Sequence, residues 1–188
     1  MESASALPKL AETCASVELI ATLETPRGIL NALAIADATR RTTALFFGSG
    51  DYTAALGAAV TETTLHHPRA VVTAAAAAAG IQAIDAAYFQ DVKNAEATRR
   101  DAQLARDMGF AGKVVFHPIQ VAVANAVFAP TPGELERARR VVGAYRDSLA
   151  KGHGTSAIDG LFVAMDLVPP AERLIALAEK LAAREAPR

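Results

Sequence analysis

Cysteine occurs once in this 188-residue chain, aromatic residues make up only 5%, and neither sign of charge dominates. A single cysteine, Cys14, excludes an internal disulfide and points to a reducing, cytoplasmic setting. Its surroundings, Glu12-Thr13-Cys14-Ala15, hold no nucleophile motif and read as an inert thiol. Nineteen Lys and Arg against twenty Asp and Glu leave a net charge of −1, which gives no footprint for nucleic acid. Long apolar runs are missing as well. The blandest stretch, residues 71–84, is interrupted by Thr73, Gly80 and Gln82 and falls short of the roughly 20 residues of a membrane span. The start, Met1-Glu2-Ser3-Ala4-Ser5, lacks the basic residues and apolar run of a signal peptide. No phosphate-binding loop is present, because Gly48-Ser49-Gly50 is too short for one and carries no lysine, so a flavodoxin-like nucleotide binder fits poorly.

What is present is an alanine- and valine-rich chain, 52% hydrophobic, long enough for one domain with a real core. Its pattern alternates. Residues 17–23 are apolar and β-branched without polar alternation, as in a strand buried on both faces. Pro26 then opens a helix toward Arg40. Residues 44–47 read as a second strand, with Asp51 capping a helix over 52–58. His67-Pro68 opens an alanine-rich helix that Gly80 stops. Strands over 81–85 and 113–116 are separated by a helix over 91–108, and a short helix runs from Pro118 to Phe128. Thr131 caps a helix over 132–150, Gly152-His153-Gly154 breaks it, residues 155–164 are extended, and a last helix covers 170–184. Repeated strand–helix alternation predicts an α/β fold with a parallel sheet and right-handed crossovers. The expected organisation is four β/α units over residues 1–150 and an extension over 151–188.

Two segments place a carboxylate just after a strand and before a helix: Leu23-Glu24-Thr25-Pro26-Arg27-Gly28 and Phe47-Gly48-Ser49-Gly50-Asp51-Tyr52. Strand C-termini of a parallel sheet converge on one face, so Glu24 and Asp51 can share a site there. Two hard oxygen ligands that leave coordination positions open suit Mg²⁺ holding a small oxyacid. Taken singly, Asp51 reads as a helix N-cap and Glu24 as a solvated residue after a strand. Arg27 reads either as a grip for a substrate carboxylate or as a surface cation. His66 and His67 read as a surface or helix-start pair. Asp85 ends a strand and His117 follows one, which places both at the same mouth.

The string Ile20-Ala21-Thr22-Leu23-Glu24-Thr25-Pro26-Arg27-Gly28-Ile29-Leu30-Asn31-Ala32 resembles a motif of the citrate lyase β-subunit-like proteins of the HpcH/HpaI aldolase superfamily. Further matches follow in the same order: Gly48-Ser49-Gly50-Asp51 with Leu56-Gly57, His67-Pro68-Arg69, Ala83-Ile84-Asp85, Gly109-Phe110-Ala111-Gly112-Lys113, His117-Pro118-Ile119-Gln120, Val127-Phe128 with Thr131-Pro132, and Ile158-Asp159-Gly160. Each motif is short; the collinear set is specific. The resemblance implies a (β/α)₈ TIM barrel, of which this chain carries the last four units plus a C-terminal helical extension. It implies a Mg²⁺-dependent carbon–carbon lyase acting on a short hydroxyacyl thioester of coenzyme A or an acyl carrier, or on a related oxyacid. Glu24 and Asp51 would hold the metal. Glu24, Arg27, Gly48, Ser49, Gly50 and His117 would meet the substrate.

Three departures accompany the match. The front half of the barrel, with its substrate-gripping arginine, is not found, and four barrel strands alone leave two free edges and an uncovered apolar face. The expected partners are therefore further copies of this chain or a second chain supplying the missing half. Gly50 stands where the family usually has Glu. The family's acid/base carboxylate, which reaches a neighbouring subunit's site, falls on Ala164; Asp166, two residues later, is the nearest candidate for that catalytic role. A second reading follows, a half-barrel that binds metal without turnover, as a remnant or an assembly subunit. The missing front half and Ala164 favour it, and the intact Glu24/Asp51 pair favours the enzyme.

Overall fold

A computed structural model describes residues 1–13 and 16–185, so the reading of Cys14 lies outside the described residues. The chain forms two compact units, Met1–Phe128 and Ala129–Arg188. The helix over 132–150, grouped in the sequence with the β/α units, therefore falls in the C-terminal unit. Among the described residues no helix is long and apolar enough to cross a membrane.

Unit 1 begins with a helix the sequence reading does not anticipate, α1 (Ala6–Thr13), whose Leu7 and Ala11 are buried. The Arg41 guanidinium holds it in place by donating to the Ala11 and Val17 carbonyls. Strand β1 (Leu19–Leu23) leads to two short helices, α2 (Pro26–Leu30) and α3 (Ala32–Ala36), where one longer helix is expected. Thr25 caps α2 by accepting from the Gly28 N–H, and Pro26 takes the first turn. Next come β2 (Thr42–Phe47), α4 (Ser49–Leu56) and α5 (Glu62–Ala78). Thr61 caps α5, so His67-Pro68 does not open it; Pro68 lies inside and is buried. The unit continues with β3 (Gln82–Asp85), α6 (Ala95–Asp107) capped by Asn94, β4 (Gly112–Lys113) and α7 (Pro118–Phe128).

The four strands are parallel and lie in sequential order β1-β2-β3-β4. Right-handed crossovers in that order place every connecting helix on the same face of the sheet. A doubly wound nucleotide-binding sheet would instead reverse its order at a switch point. Side-chain alternation makes the consequence visible. Ala21, Leu45 and Ala83 are register partners and buried, as are Leu23 and Phe47 in the next row. On the opposite face Ile20 is 57% exposed, and Thr22, Phe46 and Ile84 are half-buried. The helix-side core adds Ile29, Ile35, Val72 and Phe110, with the Phe47 and Tyr52 rings edge to face at 5.8 Å. Small alanines at Ala32, Ala36, Ala75 and Ala76 let helices approach the sheet closely.

That helix-side layer also holds four charges, three with buried side chains and the fourth, Asp101, partly buried. Asp85 ends β3 at zero exposure and takes two bonds from Arg69 of α5, at 3.0 Å from Nε and 2.8 Å from Nη2. The same guanidinium reaches Asp101 of α6 at 2.8 Å. Lys113 Nζ lies 2.8 Å from Asp85 and 2.6 Å from Asp101, and donates to the Ala86 carbonyl. Two cations and two carboxylates thus alternate, joining α5, β3, α6 and β4. Each partner neutralises a neighbour that could not otherwise stay charged in the interior.

Unit 2 comprises α8 (Pro132–Ala150), the hairpin β5 (Ser156–Ile158) and β6 (Leu161–Val163), a 3₁₀ turn over Met165–Leu167 and α9 (Val168–Glu185). Thr131 and Glu134 form a capping box at the start of α8, satisfying two N–H groups reciprocally. The hairpin turns at Asp159-Gly160, both at positive φ (48° and 78°), the backbone that a tight primed turn requires. Ala138, Val142, Tyr145, Val163 and Val168 make its core.

Replacing Asp101 with Asn leaves Arg69 and Lys113 sharing one carboxylate. Asp101→Asn is expected to lower the unfolding free energy by about 3 kcal/mol in urea titration. Burial opposes ionisation of Asp101, but Lys113 and Arg69 together outweigh it and hold its carboxyl below the usual carboxylate range. A lowered folded value stabilises above the unfolded pKa of about 3.9, and that contribution disappears as pH falls through the folded value. The stabilities of the wild-type protein and Asp101→Asn are therefore expected to converge in acid. A constant gap down to full acid unfolding would refute the assignment.

Candidate functional site

The site is built where β1 and β2 end. Leu23 packs against the helices, so alternation turns Glu24 to the open face. One strand over, the Gly48 N–H donates to the Leu23 carbonyl at 2.9 Å and draws the β2–α4 turn against Glu24. A Cβ at position 48 would lie 2.7 Å from Glu24 Cβ and 3.1 Å from Glu24 Oε2, so the turn has room only for glycine. Helix α4 starts at once, and the Thr53 hydroxyl donates back to the Ser49 and Gly50 carbonyls, fixing its first turn.

Asp51 does not cap this helix. Gly48 occupies the N-cap position with no side-chain bond, and Asp51 lies within the first helical turn, exposed. The helix begins three residues earlier than the sequence suggests, because Ser49 and Gly50 already adopt helical backbone. No ion pair or side-chain hydrogen bond among the described residues engages Glu24 or Asp51. A carboxylate in the first turn is favoured by the helix dipole and remains free to bind elsewhere.

Glu24, Gly48, Ser49, Gly50 and Asp51 line one open cavity of about 370 Å³. Its other wall is apolar: Phe46 of β2, Ala86, Ala87 and Phe89 after β3, and Val114 and Phe116 after β4. Phe89 closes over Gly50, its ring 3.6 Å from where a Cβ would be. A neighbouring cavity of about 310 Å³ shares Ser49, Ala87 and Phe89 and is bordered by Arg69 and Asp101 of the buried charge group.

Other sequence candidates are placed elsewhere. Arg27 is exposed on α2 and is not among the cavity's lining residues. His117 accepts the Ile119 N–H on Nδ1 at 3.3 Å, at the start of α7, and also lies outside the lining. Asp85 is corrected: it shares the helix-side face with Ala83 and is consumed by Arg69 and Lys113, so it does not reach the mouth. His66 and His67 are exposed on α5. Asp166 is exposed on the 3₁₀ turn of unit 2, and Ala164 immediately precedes that turn. The apolar wall was missed. Phe46 and Val114 could have been assigned to the open face by counting alternate residues, but Phe89 and Phe116 lie on loops with no periodicity to read.

The donor set suits one metal chemistry better than others. Among the described residues no three His, Cys, Asp or Glu side chains converge on a common point. A pair of carboxylates with open space beside it is what Mg²⁺ uses, since it keeps water or substrate oxygens on most of its positions. Structural zinc would need four protein ligands.

Comparison with known proteins bears on this geometry. Over 182 residues the chain is 35% identical to a (3S)-malyl-CoA thioesterase of Cereibacter sphaeroides, covering 96% of this chain and 63% of that protein. It is 32% identical to the mitochondrial citramalyl-CoA lyase of Mus musculus, covering 88% of this chain and 52% of the relative. The chain thus spans 63% or less of the length of these relatives. Among solved structures, CitE of Mycobacterium tuberculosis, in complex with magnesium, acetoacetate and coenzyme A, matches with a TM-score of 0.78 at 30% identity. The match covers 95% of this chain and 66% of that one. The HpcH/HpaI aldolase/citrate lyase family model matches residues 2–118, the stretch that contains both carboxylates and the whole parallel sheet, and the chain belongs to that family.

Proposed function

We propose that this chain is the metal-binding half of a Mg²⁺-dependent carbon–carbon lyase for short hydroxyacyl thioesters or related oxyacids. The observation that carries the reading is the joint lining of one cavity by Glu24 and Asp51, beside a turn that only glycine fits. Supporting it are a malyl-CoA thioesterase and a citramalyl-CoA lyase as relatives, and a structural neighbour bound to magnesium, acetoacetate and coenzyme A. The reading extends to the fold: the four β/α units are the last four of an eight-stranded barrel. The sequential strand order and the uncovered sheet face agree with that, as does the greater length of the relatives. A second copy or another chain would then cover the open face, and unit 2 would carry Asp166 to a neighbouring site as acid or base.

In this reading Glu24 and Asp51 hold the metal. A divalent cation held by these two carboxylates would supply Lewis-acid stabilisation of the oxygen charge that grows as the carbon–carbon bond breaks. The first N–H groups of α4 have no intrahelical acceptor and supply donors to a substrate carboxylate. Buried Ser49 and the Gly48 turn keep those donors beside Glu24. The apolar wall excludes water from the acyl portion and raises the worth of each polar contact.

Titration calorimetry is expected to show Mg²⁺ binding that weakens at least about tenfold, or about 1.4 kcal/mol, in Glu24→Gln and in Asp51→Asn. Gly48→Ala retains both carboxylates yet is expected to weaken binding similarly, because its methyl group displaces Glu24. Mg²⁺-dependent cleavage of short hydroxyacyl-CoA substrates should vanish in both carboxylate variants. Turnover that survives both substitutions would overturn the lyase reading, whereas metal binding without turnover in the wild type would favour the non-catalytic half-barrel. Light scattering should find an assembly larger than one chain; a fully active monomer would contradict the half-barrel.

A further inference from the structure

Gln120 of α7 is fully buried and its side-chain amide is saturated. Oε1 accepts the backbone N–H groups of Phe116 at 2.9 Å and His117 at 3.2 Å. Nε2 donates to the Tyr88 carbonyl at 2.7 Å and to the Thr98 hydroxyl at 3.2 Å. A glutamine amide offers two acceptor sites and two donor hydrogens, so all four are used. Turning the amide over would set N–H against N–H at two contacts, so its partners dictate its orientation.

Among the described residues no other hydrogen bond joins the two loops it bridges. Strand β4 is two residues long, and the ladder between β3 and β4 stops at the Val114 N–H bonded to the Asp85 carbonyl at 3.0 Å. Beyond that point the chains diverge into the 86–90 and 114–117 loops. Lys113 anchors the first of these at its base through the Ala86 carbonyl. Gln120 then links Tyr88 to Phe116, replacing the missing rungs with one side chain, and Thr98 ties the amide to α6. Phe89 and Phe116, which belong to these loops, form part of the apolar wall opposite Glu24 and Asp51.

We propose that Gln120 is a positioning residue: it bridges the loops after β3 and β4 and so sets Phe89 and Phe116 at the spacing that shapes the ligand-binding wall, without itself touching ligand. This rests on the proposed function only for the ligand-binding part of its test. Gln120→Glu keeps both acceptors and loses both donors, while Gln120→Met, of similar length, loses all four contacts. In NMR, Gln120→Glu at pH 7 is expected to drop the backbone order parameters of residues 86–90 from about 0.85 toward about 0.6. The Phe116 and His117 amides should stay protected from exchange in that variant. Gln120→Met should loosen both loops, with the Phe116 and His117 amides exchanging about tenfold faster. In both variants the β2 amides of Leu45 and Phe47 keep their protection. Acetoacetate in the presence of Mg²⁺ should bind about tenfold more weakly to each variant, while the affinity for Mg²⁺ alone is unchanged, since Glu24 follows β1 and Asp51 lies in the first turn of α4, outside both loops. Unchanged loops in both variants, a uniform loss of protection including β2, or loosened loops with unaltered acetoacetate affinity would each overturn the proposal. If the wild-type protein binds neither Mg²⁺ nor acetoacetate, the proposed function fails, and the loop pattern alone decides the role of Gln120.

Discussion

A parallel sheet laid down in sequential order can give its helices only one face, and that constraint organises unit 1. Each crossover returns to the same side, so that side becomes the packed layer of Leu23, Leu45, Phe47 and Ala83, while Ile20, Thr22, Phe46 and Ile84 are left on the other. One step along a strand moves a side chain from the dry layer to the open one. Leu23 and Glu24 are such a step, and so are Asp85 and Ala86. The carboxylate of Asp85 falls on the helix side and that of Glu24 on the open side, and their chemistry diverges from there.

Inside the helix layer an anion persists only with cations against it, and Arg69 and Lys113 serve both Asp85 and Asp101. A satisfied network of this kind joins four elements to one another and costs a great deal to break at any member. It also keeps the ends of β3 and β4 in register close to the cavity. On the open side the carboxylates of Glu24 and Asp51 have no cation among the described residues, which leaves them available to an added one. The same residue type is thus a structural tie on one face and a candidate ligand on the other. The loops between these regimes are held by polar contacts that the strands no longer provide: the Gly48 N–H on Leu23, Lys113 on Ala86, and Gln120 across both later loops.

Much of this was legible in the residues. Short apolar runs marked the first three strands to within two residues, because they are bounded closely by turn and capping residues. Pro26 and the Thr131-Pro132-Gly133-Glu134 segment marked helix starts, because capping chemistry is local and needs no tertiary partner. The ordered motifs pointed to the family that the comparison then showed. Less legible were features whose cause is distant. Helix α1 spans only 8 residues and is held by Arg41, 30 positions from Ala11. The break at Asn31 is stabilised by its amide reaching the Glu2 carbonyl. The Asp159-Gly160 hairpin did carry a local signal, a dipeptide suited to positive φ, and it passed as an extended segment.

By itself, then, the order of residues determined the alternation of strands and helices, the caps, and the two carboxylates at strand ends, since each depends on neighbours a few positions away. Only the tertiary structure decided which acidic residues are spent. Asp85 is neutralised by residues 16 and 28 positions distant, and Asp51 is released from capping because the helix begins at Ser49. The physical reason is that a carboxylate's availability is fixed by the charges and solvent around it in space, and those are set by which face of the sheet it occupies.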